Sequence, residues 1–416
     1  MKKSLTCLLV AFWGLFSATA QTNVISGADR MPVYLPYLQN KAVAVFANQT
    51  SMVGPAHLVD TLLKSGVKVV KIFGPEHGFR GDADAGEHVS NAIDKKTGIP
   101  VISLYGDHKK PTADDLKDID ILIFDIQDVG VRFYTFISSL QYYLEAAIEN
   151  HKPLLILDRP NPNGFYVDGP VLDMKYKSFV GMQPVPIVYG MTIGEYALML
   201  AGENWLSEKA NAINAYNITT QPTADTPFHV TVIKCKNYDH TTKYVLPVNP
   251  SPNLKQPQSI YLYPSTCFFE GTVMSEGRGT DHPFQIFGHP SLPKNLFSFT
   301  PMPNAGAKSS KCFNQLCYGW FVNGSNEAIL QQLNNKIQLK YLLDAYALFP
   351  GKDSFFIAPK SGNMNDCFFN KLAGNNMLMQ QIKTGVAEAD IRKSWQPQLD
   401  AFKLVRKKYL LYKDFE

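Results

Sequence analysis

Five stretches of this 416-residue chain gather acids, arginines and glycines in patterns that can do chemistry. The first reads Gly74-Pro75-Glu76-His77-Gly78-Phe79-Arg80-Gly81-Asp82. The second reads Asp125-Ile126-Gln127-Asp128-Val129-Gly130-Val131-Arg132-Phe133-Tyr134. The third is Asp158-Arg159-Pro160-Asn161-Pro162-Asn163-Gly164 and the fourth Tyr189-Gly190-Met191-Thr192-Ile193-Gly194-Glu195. The fifth, later in the chain, is Ser275-Glu276-Gly277-Arg278-Gly279-Thr280-Asp281-His282. Carboxylates grouped with arginines suit glycoside cleavage. One protonated acid assists the leaving oxygen. A second carboxylate, or an acetamido group of the substrate itself, stabilises the oxocarbenium-like centre. Phe79, Tyr134, Phe165 and Tyr189 are interleaved with these motifs and could form a sugar platform or simply pack in the core.

Each stretch also has a purely structural use. Glu76 and His77 lie between Gly74 and Gly78, so a tight turn presents them, and a bare turn would need neither. Asp125 ends an apolar run and Asp128 begins the next turn. One of the two can tie down loop N–H groups and leave the other free. Asp158 to Pro162 also fits a rigid proline turn. Thr192-x-x-Glu195 also fits a capping box. Gly277-Arg278-Gly279 can hold an anion or form a plain surface turn. Other chemistries lack their spacing. There is no G-x-G-x-x-G after the first apolar run, no phosphate loop and no G-x-S-x-G elbow. His77, His88 and His282 have no H-x-x-x-H or H-x-H spacing, so neither a metal nor another cofactor is expected.

These side chains need a frame. Apolar, β-branched runs at 42–47, 68–73, 101–104, 120–124, 153–157 and 185–188 alternate with helical stretches at 56–65, 135–150 and 192–203. The runs are continuous, as in strands buried on both faces of a parallel sheet. The alternation predicts an α/β fold with a doubly wound, mostly parallel sheet. Such sheets bind ligands beyond the carboxyl ends of their strands, where the first four motifs stand. Past residue 204 the pattern loosens into a strand at 230–235 and a helix at 259–269. Prolines at 283, 290, 293, 301 and 303 mark a boundary. A catalytic domain over 21–290 is expected, with a smaller C-terminal α/β domain over 291–416 closing a cleft. The latter should carry a strand at 317–322 and helices at 327–336, 339–348 and 387–409, the last restarting at Pro397.

Lys2 and Lys3, an apolar run over 5–16, and Ala18-x-Ala20 read as a signal peptide cut before Gln21. The run is shorter than the ~20 residues of a membrane span. The expected product is therefore a soluble exported chain, periplasmic or secreted, with no membrane span. Formal net charge is +4 and falls to +2 without Lys2 and Lys3, with the signs mixed, so no nucleic-acid partner is indicated. Five cysteines follow the leader without any C-x-x-C. They read as buried thiols, although Cys312 and Cys317 could pair across a turn.

The strings GPEHGFRGDADAGE, SLYG, DIQDVGVRFYTF, LDRPNPNG, GMTIGEYA and FFEGTVMSEGRGTDHPF occur in one order. In these the chain resembles the exo-β-N-acetylmuramidases over nearly all of its length after residue 43. Val273 departs from the family pattern, which usually has Asn after Glu-Gly-Thr. The resemblance implies a Rossmann-like larger domain with a smaller C-terminal domain and a cleft between them, and removal of N-acetylmuramic acid from the non-reducing ends of peptidoglycan fragments such as MurNAc-GlcNAc. That sugar carries an ionised lactyl carboxylate, so its site should hold an arginine fork as well as acids. Arg80, Arg132, Arg159 and Arg278 are the candidates, with His77, Tyr134, Asn161, Glu276 and Asp281 as further substrate contacts. Glu76 is the first choice of catalytic carboxylate, partnered by Asp128, Asp125 or Glu195 in that order. Glu76→Gln should lower turnover about 10²–10⁴-fold, the usual contribution of a positioned acid or base, and leave the unfolding midpoint unchanged. Near-normal turnover in that variant would remove Glu76 from the chemistry.

Overall fold

The computed structural model describes residues 23–76, 78–79, 91–213, 218–219 and 229–416. The expected leader, His77, Arg80 and His88 lie outside the described residues. Eight strands form the main sheet: β1 (Ala42–Ala47), β2 (Lys68–Gly74), β3 (Ala92–Ile93), β4 (Pro100–Ser103), β5 (Ile121–Asp125), β6 (Leu154–Leu157), β7 (Ile218–Thr219) and β8 (Val230–Ile233). Their order is β3-β4-β2-β1-β5-β6-β8-β7, and every pair is parallel except the edge pair β3–β4. The order reverses at β1, which sits between β2 and β5. This is the doubly wound α/β sheet that the alternation predicts.

The period-two geometry of a strand explains the continuous apolar runs. Ala44, Phe46, Phe73, Leu122, Phe124, Leu154 and Ile156 belong to one buried cluster. Val43, Val45, Ala47, Ile72, Ile121, Ile123, Leu155 and Leu157 belong to a second on the other face. Helix α1 (Leu58–Lys64) covers the second face, and α2 (Phe136–Glu149) and α3 (Ile193–Gly202) cover the first. α1 is capped by the His57 imidazole, which accepts from the Val59 N–H.

Two local expectations fail. Residues 185–188 do not form a strand, and only Val188 makes bridges, to Val131 and Asp168. Pro184 and Pro186 remove ladder donors from this run. Its carbonyls are taken by Arg132, whose backbone N–H bonds to Ile187 and whose side chain bonds to Val185. β8 occupies the place beside β6 instead. The C-terminal helix also does not restart at Pro397. It runs unbroken through that proline over Glu388–Lys407, held by the buried side chains Ile391, Trp395, Leu399 and Phe402.

Beyond α4 (Pro257–Thr266) the chain builds a three-stranded antiparallel sheet from β9 (Ile286–His289), β10 (Phe297–Phe299) and β11 (Cys317–Phe321), with β11 in the centre. Helices α5 (Asn326–Leu333), α6 (Lys340–Leu348), α7 (Phe368–Ala373), α8 (Met377–Lys383) and α9 (Glu388–Lys407) follow. Buried side chains from these elements join Phe46, Phe124 and Tyr143 in one continuous apolar cluster. The five cysteines of the described residues are free thiols. Among the described residues no helix is long and apolar enough to cross a membrane.

Arg132 fastens the two halves. Its side chain is fully buried. Its guanidinium donates to the carbonyls of Pro170 (2.8 Å) and Val185 (2.7 Å) and, across to α7, of Leu372 (2.8 Å). Gly374 sits so close that an added Cβ would lie 2.6 Å from Arg132 Nη2. Burial holds the Arg132 acid constant down, to about 9. Arg132→Ala removes the side-chain donor from the Pro170 and Leu372 carbonyls, at ~1–3 kcal/mol each, and leaves Val185 O only the Leu172 N–H. It should lower stability by about 3 kcal/mol or more, read as a fall in the urea midpoint. An unchanged midpoint would show that Arg132 does not hold the halves together.

Candidate active site

A cavity of about 650 Å³ opens beyond the carboxyl ends of β2, β4 and β5 and is closed by residues 251–311 and α7. Glu76 stands two residues past β2 on a tight turn closed by Gly78 N–H donating to the Pro75 carbonyl (2.9 Å). Its Oε1 accepts from the Tyr105 hydroxyl (3.1 Å), two residues past β4. Its Oε2 accepts from Thr135 Oγ1 (3.2 Å). Thr135 holds the N-cap position of α2, yet its hydroxyl makes no cap bond. The Glu76 carboxylate thus lies at the N-terminal end of α2.

The opposite wall comes from the fifth motif. Gly277 and Gly279 both have φ near +82°, and an added Cβ would lie 2.3 Å from the Ile286 carbonyl oxygen and 2.7 Å from that of Met302. Only glycine fits on either side of Arg278. Arg278 Nη2 pairs with Glu270 Oε1 (2.7 Å) and Nε with Glu276 Oε1 (3.3 Å). Lys311 Nζ reaches Glu276 Oε2 (2.9 Å) and bonds to the carbonyls of Phe269 and Thr272. Burial pushes the Glu276 carboxyl up, but Lys311 and Arg278 more than offset it and hold it below the usual carboxylate range. Phe284, beneath the Arg278 guanidinium at 5.2 Å, adopts φ +65°. For a bulky residue that is a strained backbone, of the kind found at binding sites. The Phe284 N–H bond to Glu276 O (2.8 Å) helps hold it.

Of the expected site residues the cavity therefore gathers Glu76, Tyr134, Glu276 and Arg278. Burial directs most of the other described ones elsewhere, while His77 and Arg80 lie outside the described residues. Asp125 is fully buried in a two-point bridge to Arg159 (2.6 and 2.9 Å). Arg159 is therefore committed to a scaffold carboxylate and not to substrate. Asn161 joins Met191 O to the Asn163 N–H. Glu195 closes the capping box with Thr192, and its Oε1 also meets His240 Nε2 (3.0 Å) and the Leu411 N–H (2.7 Å). It is a fully buried helix cap and does not reach the cavity. Arg132 is the fastener described above. Asp281 is exposed and outside the cavity lining. Of the four suggested platform aromatics only Tyr134 lines the cavity, and Tyr189 is buried with its hydroxyl on Asp128.

Asp128 is intermediate. It is 5% exposed and lies behind Tyr134. Its Oδ2 accepts from Tyr189 and from the Gly130 N–H (2.6 Å), and Oδ1 has no hydrogen-bond partner among the described residues. Burial pushes its carboxyl up to about 7. Sequence reasoning overlooked Tyr105, Thr135, Glu270, Lys308 and Lys311, which also line the cavity. Tyr105 carries the same signal as Glu76, a polar residue just past an apolar run. Lys308 and Lys311 follow the proline-rich boundary, outside the five motifs, and only the chain's return across the sheet brings them in. Among the described residues no group of three His, Cys, Asp or Glu side chains is placed to hold a metal ion.

Residues 43–258 match the family described as exo-β-N-acetylmuramidase NamZ, N-terminal, and residues 261–412 match its C-terminal counterpart. The peptidoglycan β-N-acetylmuramidase NamZ of Bacillus subtilis (strain 168) is 38% identical over 421 residues, covering 94% of this chain and 91% of that protein. Crystal structures of two DUF1343 family proteins from Bacteroides fragilis NCTC 9343 share the fold. One has 46% identity and a TM-score of 0.81, covering 94% of this chain and 100% of the other. The second has 30% identity and a TM-score of 0.72, covering 94% and 99%.

The buried acid behind Tyr134 predicts a pH effect. The folded Asp128 carboxyl titrates near 7, above the ordinary value of 3.8 for the unfolded chain. The folded state therefore binds the extra proton between those values, and this contribution to stability falls as pH rises from about 4 to about 7. Asp128→Asn removes the titration and keeps an oxygen for Tyr189 and Gly130. Relative to the parent, its urea midpoint should be higher at pH 8 than at pH 5. A difference independent of pH would contradict the assignment.

Proposed function

We propose, from the premise that the chain belongs to the exo-β-N-acetylmuramidase family, that its cleft cleaves terminal MurNAc from peptidoglycan fragments with Glu76 as the proton-cycling carboxylate. Membership makes the chain a glycoside hydrolase, a peptidoglycan β-N-acetylmuramidase acting on non-reducing ends. The observation that carries the residue assignment is the contrast between the cavity's two walls. Glu276 is buried between an ammonium and a guanidinium, which keep it ionised. Glu76 accepts from the hydroxyls of Tyr105 and Thr135, groups that can serve a carboxyl in either protonation state. Two carboxylates in unlike environments are the usual basis for dividing acid from charge-stabilising roles.

In this reading Glu76 protonates the glycosidic oxygen as the bond to the anomeric carbon breaks, and water then adds to that carbon and returns a proton to Glu76. The positive charge that develops there is stabilised by the acidic wall, Glu270 and Glu276, or by the sugar's acetamido oxygen. The cations Arg278, Lys308 and Lys311 on the same side of the cavity suit the lactyl carboxylate of MurNAc. Tyr134, Tyr263 and Phe284 supply apolar faces for the ring. The leader-like segment, with Lys2, Lys3 and Ala18-x-Ala20, supports export, and a cell-wall substrate favours the periplasm.

Incubation of the full chain with MurNAc-GlcNAc should yield free MurNAc and GlcNAc. Binding without cleavage would make it a muropeptide-binding protein, and release of peptide from intact glycan would make it an amidase. Lys308→Ala, at an exposed position on the cavity rim, should raise KM for this disaccharide by about 10-fold, the usual scale for one charge-assisted bond. Its kcat should change little. An unchanged KM would remove Lys308 from the lactyl site.

A further inference from the structure

Tyr105 has no part in the assignments above, yet its hydroxyl is one of two that fix the Glu76 carboxylate. We propose that Tyr105 is a positioning residue for Glu76, acting with Thr135 as a pair of reversible hydroxyl partners. The inference rests on the reading of Glu76 as the proton-cycling carboxylate.

The two hydroxyls come from different elements. Tyr105 follows β4, the neighbour of β2 in the sheet, while Thr135 follows β5 at the first turn of α2. They grip opposite oxygens, Oε1 at 3.1 Å and Oε2 at 3.2 Å. Rotation about the last side-chain bond of Glu76 would break both contacts. The carboxyl plane is thereby set relative to the cavity, and a proton delivered from it leaves in a fixed direction.

The chemistry of the partners matters as much as their placement. A hydroxyl is both donor and acceptor, whereas an ammonium only donates. Facing ionised Glu76, Tyr105 and Thr135 both donate. When Glu76 is protonated, its O–H can donate to one of them, whose own hydrogen turns aside, while the other keeps donating to the carbonyl oxygen. The pair can therefore hold Glu76 in both halves of a proton cycle, which the Arg278 and Lys311 clamp on Glu276 cannot do. Burial, then the Glu76 charge, hold the Tyr105 phenol well above its ordinary acid constant, so it remains a neutral O–H. Thr135 fits the same pattern. A threonine at an N-cap ordinarily caps its helix, and this one bonds to Glu76 instead.

The test is steady-state hydrolysis of MurNAc-GlcNAc by the full chain carrying Tyr105→Phe, Thr135→Val, Thr135→Ser or Glu76→Gln. Tyr105→Phe and Thr135→Val should each lower kcat by about 10- to 100-fold and leave KM within about threefold, since each removes one bond to a charged group. Thr135→Ser restores the hydroxyl and should recover most of the parent kcat. A parent-like kcat in Tyr105→Phe, or a change confined to KM, overturns the inference. So does a Thr135→Ser enzyme as slow as Thr135→Val, because that loss would then be one of packing. Glu76→Gln separates the two levels of the argument. If it stays active, the reading of Glu76 fails. If it is inactive while Tyr105→Phe is normal, only the role of Tyr105 fails.

Discussion

A guanidinium taken out of water must find its hydrogen bonds inside the protein, and the architecture here turns on that requirement. Arg132 meets it with three main-chain carbonyls drawn from distant stretches of the chain. Those carbonyls are then unavailable to ordinary secondary structure. In the run at 185–188 the bond to Val185 O adds to the donors lost at Pro184 and Pro186, and the run ends as a buried coil and not as a strand. Arg159 meets the requirement with Asp125 and Met52 O, and Arg406 with Asp414 and Gly190 O. Apart from the local Arg406–Asp414 pair, these contacts tie together parts of the chain far apart in sequence.

The same constraint sorts the acids. Asp125, Asp158 and Glu195 are fully buried, and each carries enough donors to occupy its oxygens. A carboxylate so occupied has little capacity left for a substrate. The cavity keeps the acids that the scaffold does not absorb. Glu276 and Glu270 share Arg278, and Glu76 rests on two hydroxyls. The resulting site has one wall of fixed charge and one wall suited to a moving proton.

Rigidity supports that division. The large apolar cluster passes without a break from the parallel sheet into the C-terminal helices. The loop that carries Arg278 is pinned by two glycines against carbonyls and by the strained Phe284. A site assembled from loops can still be well positioned when its loops are anchored in this way.

The sequence by itself determined the sheet, because continuous β-branched runs can only be buried on both faces, and the helices that alternate with them must cover those faces. It also determined where chemistry could lie, since Glu76, Tyr134, Glu276 and Arg278 are polar or amphipathic groups placed at strand ends or between glycines. The capping box at Thr192 and Glu195 was legible for the same reason, being a contact between near neighbours. Only the tertiary structure decided which charges serve the scaffold. Asp125 and Arg159 are 34 residues apart, and Arg132 bonds to a carbonyl 240 residues away. No local pattern announces such pairings, because burial depends on what the rest of the chain lays over a residue. For the same reason Lys308 and Lys311 carried no signal of a site, and Tyr105 and Thr135 became partners of Glu76 only when the strands aligned their ends.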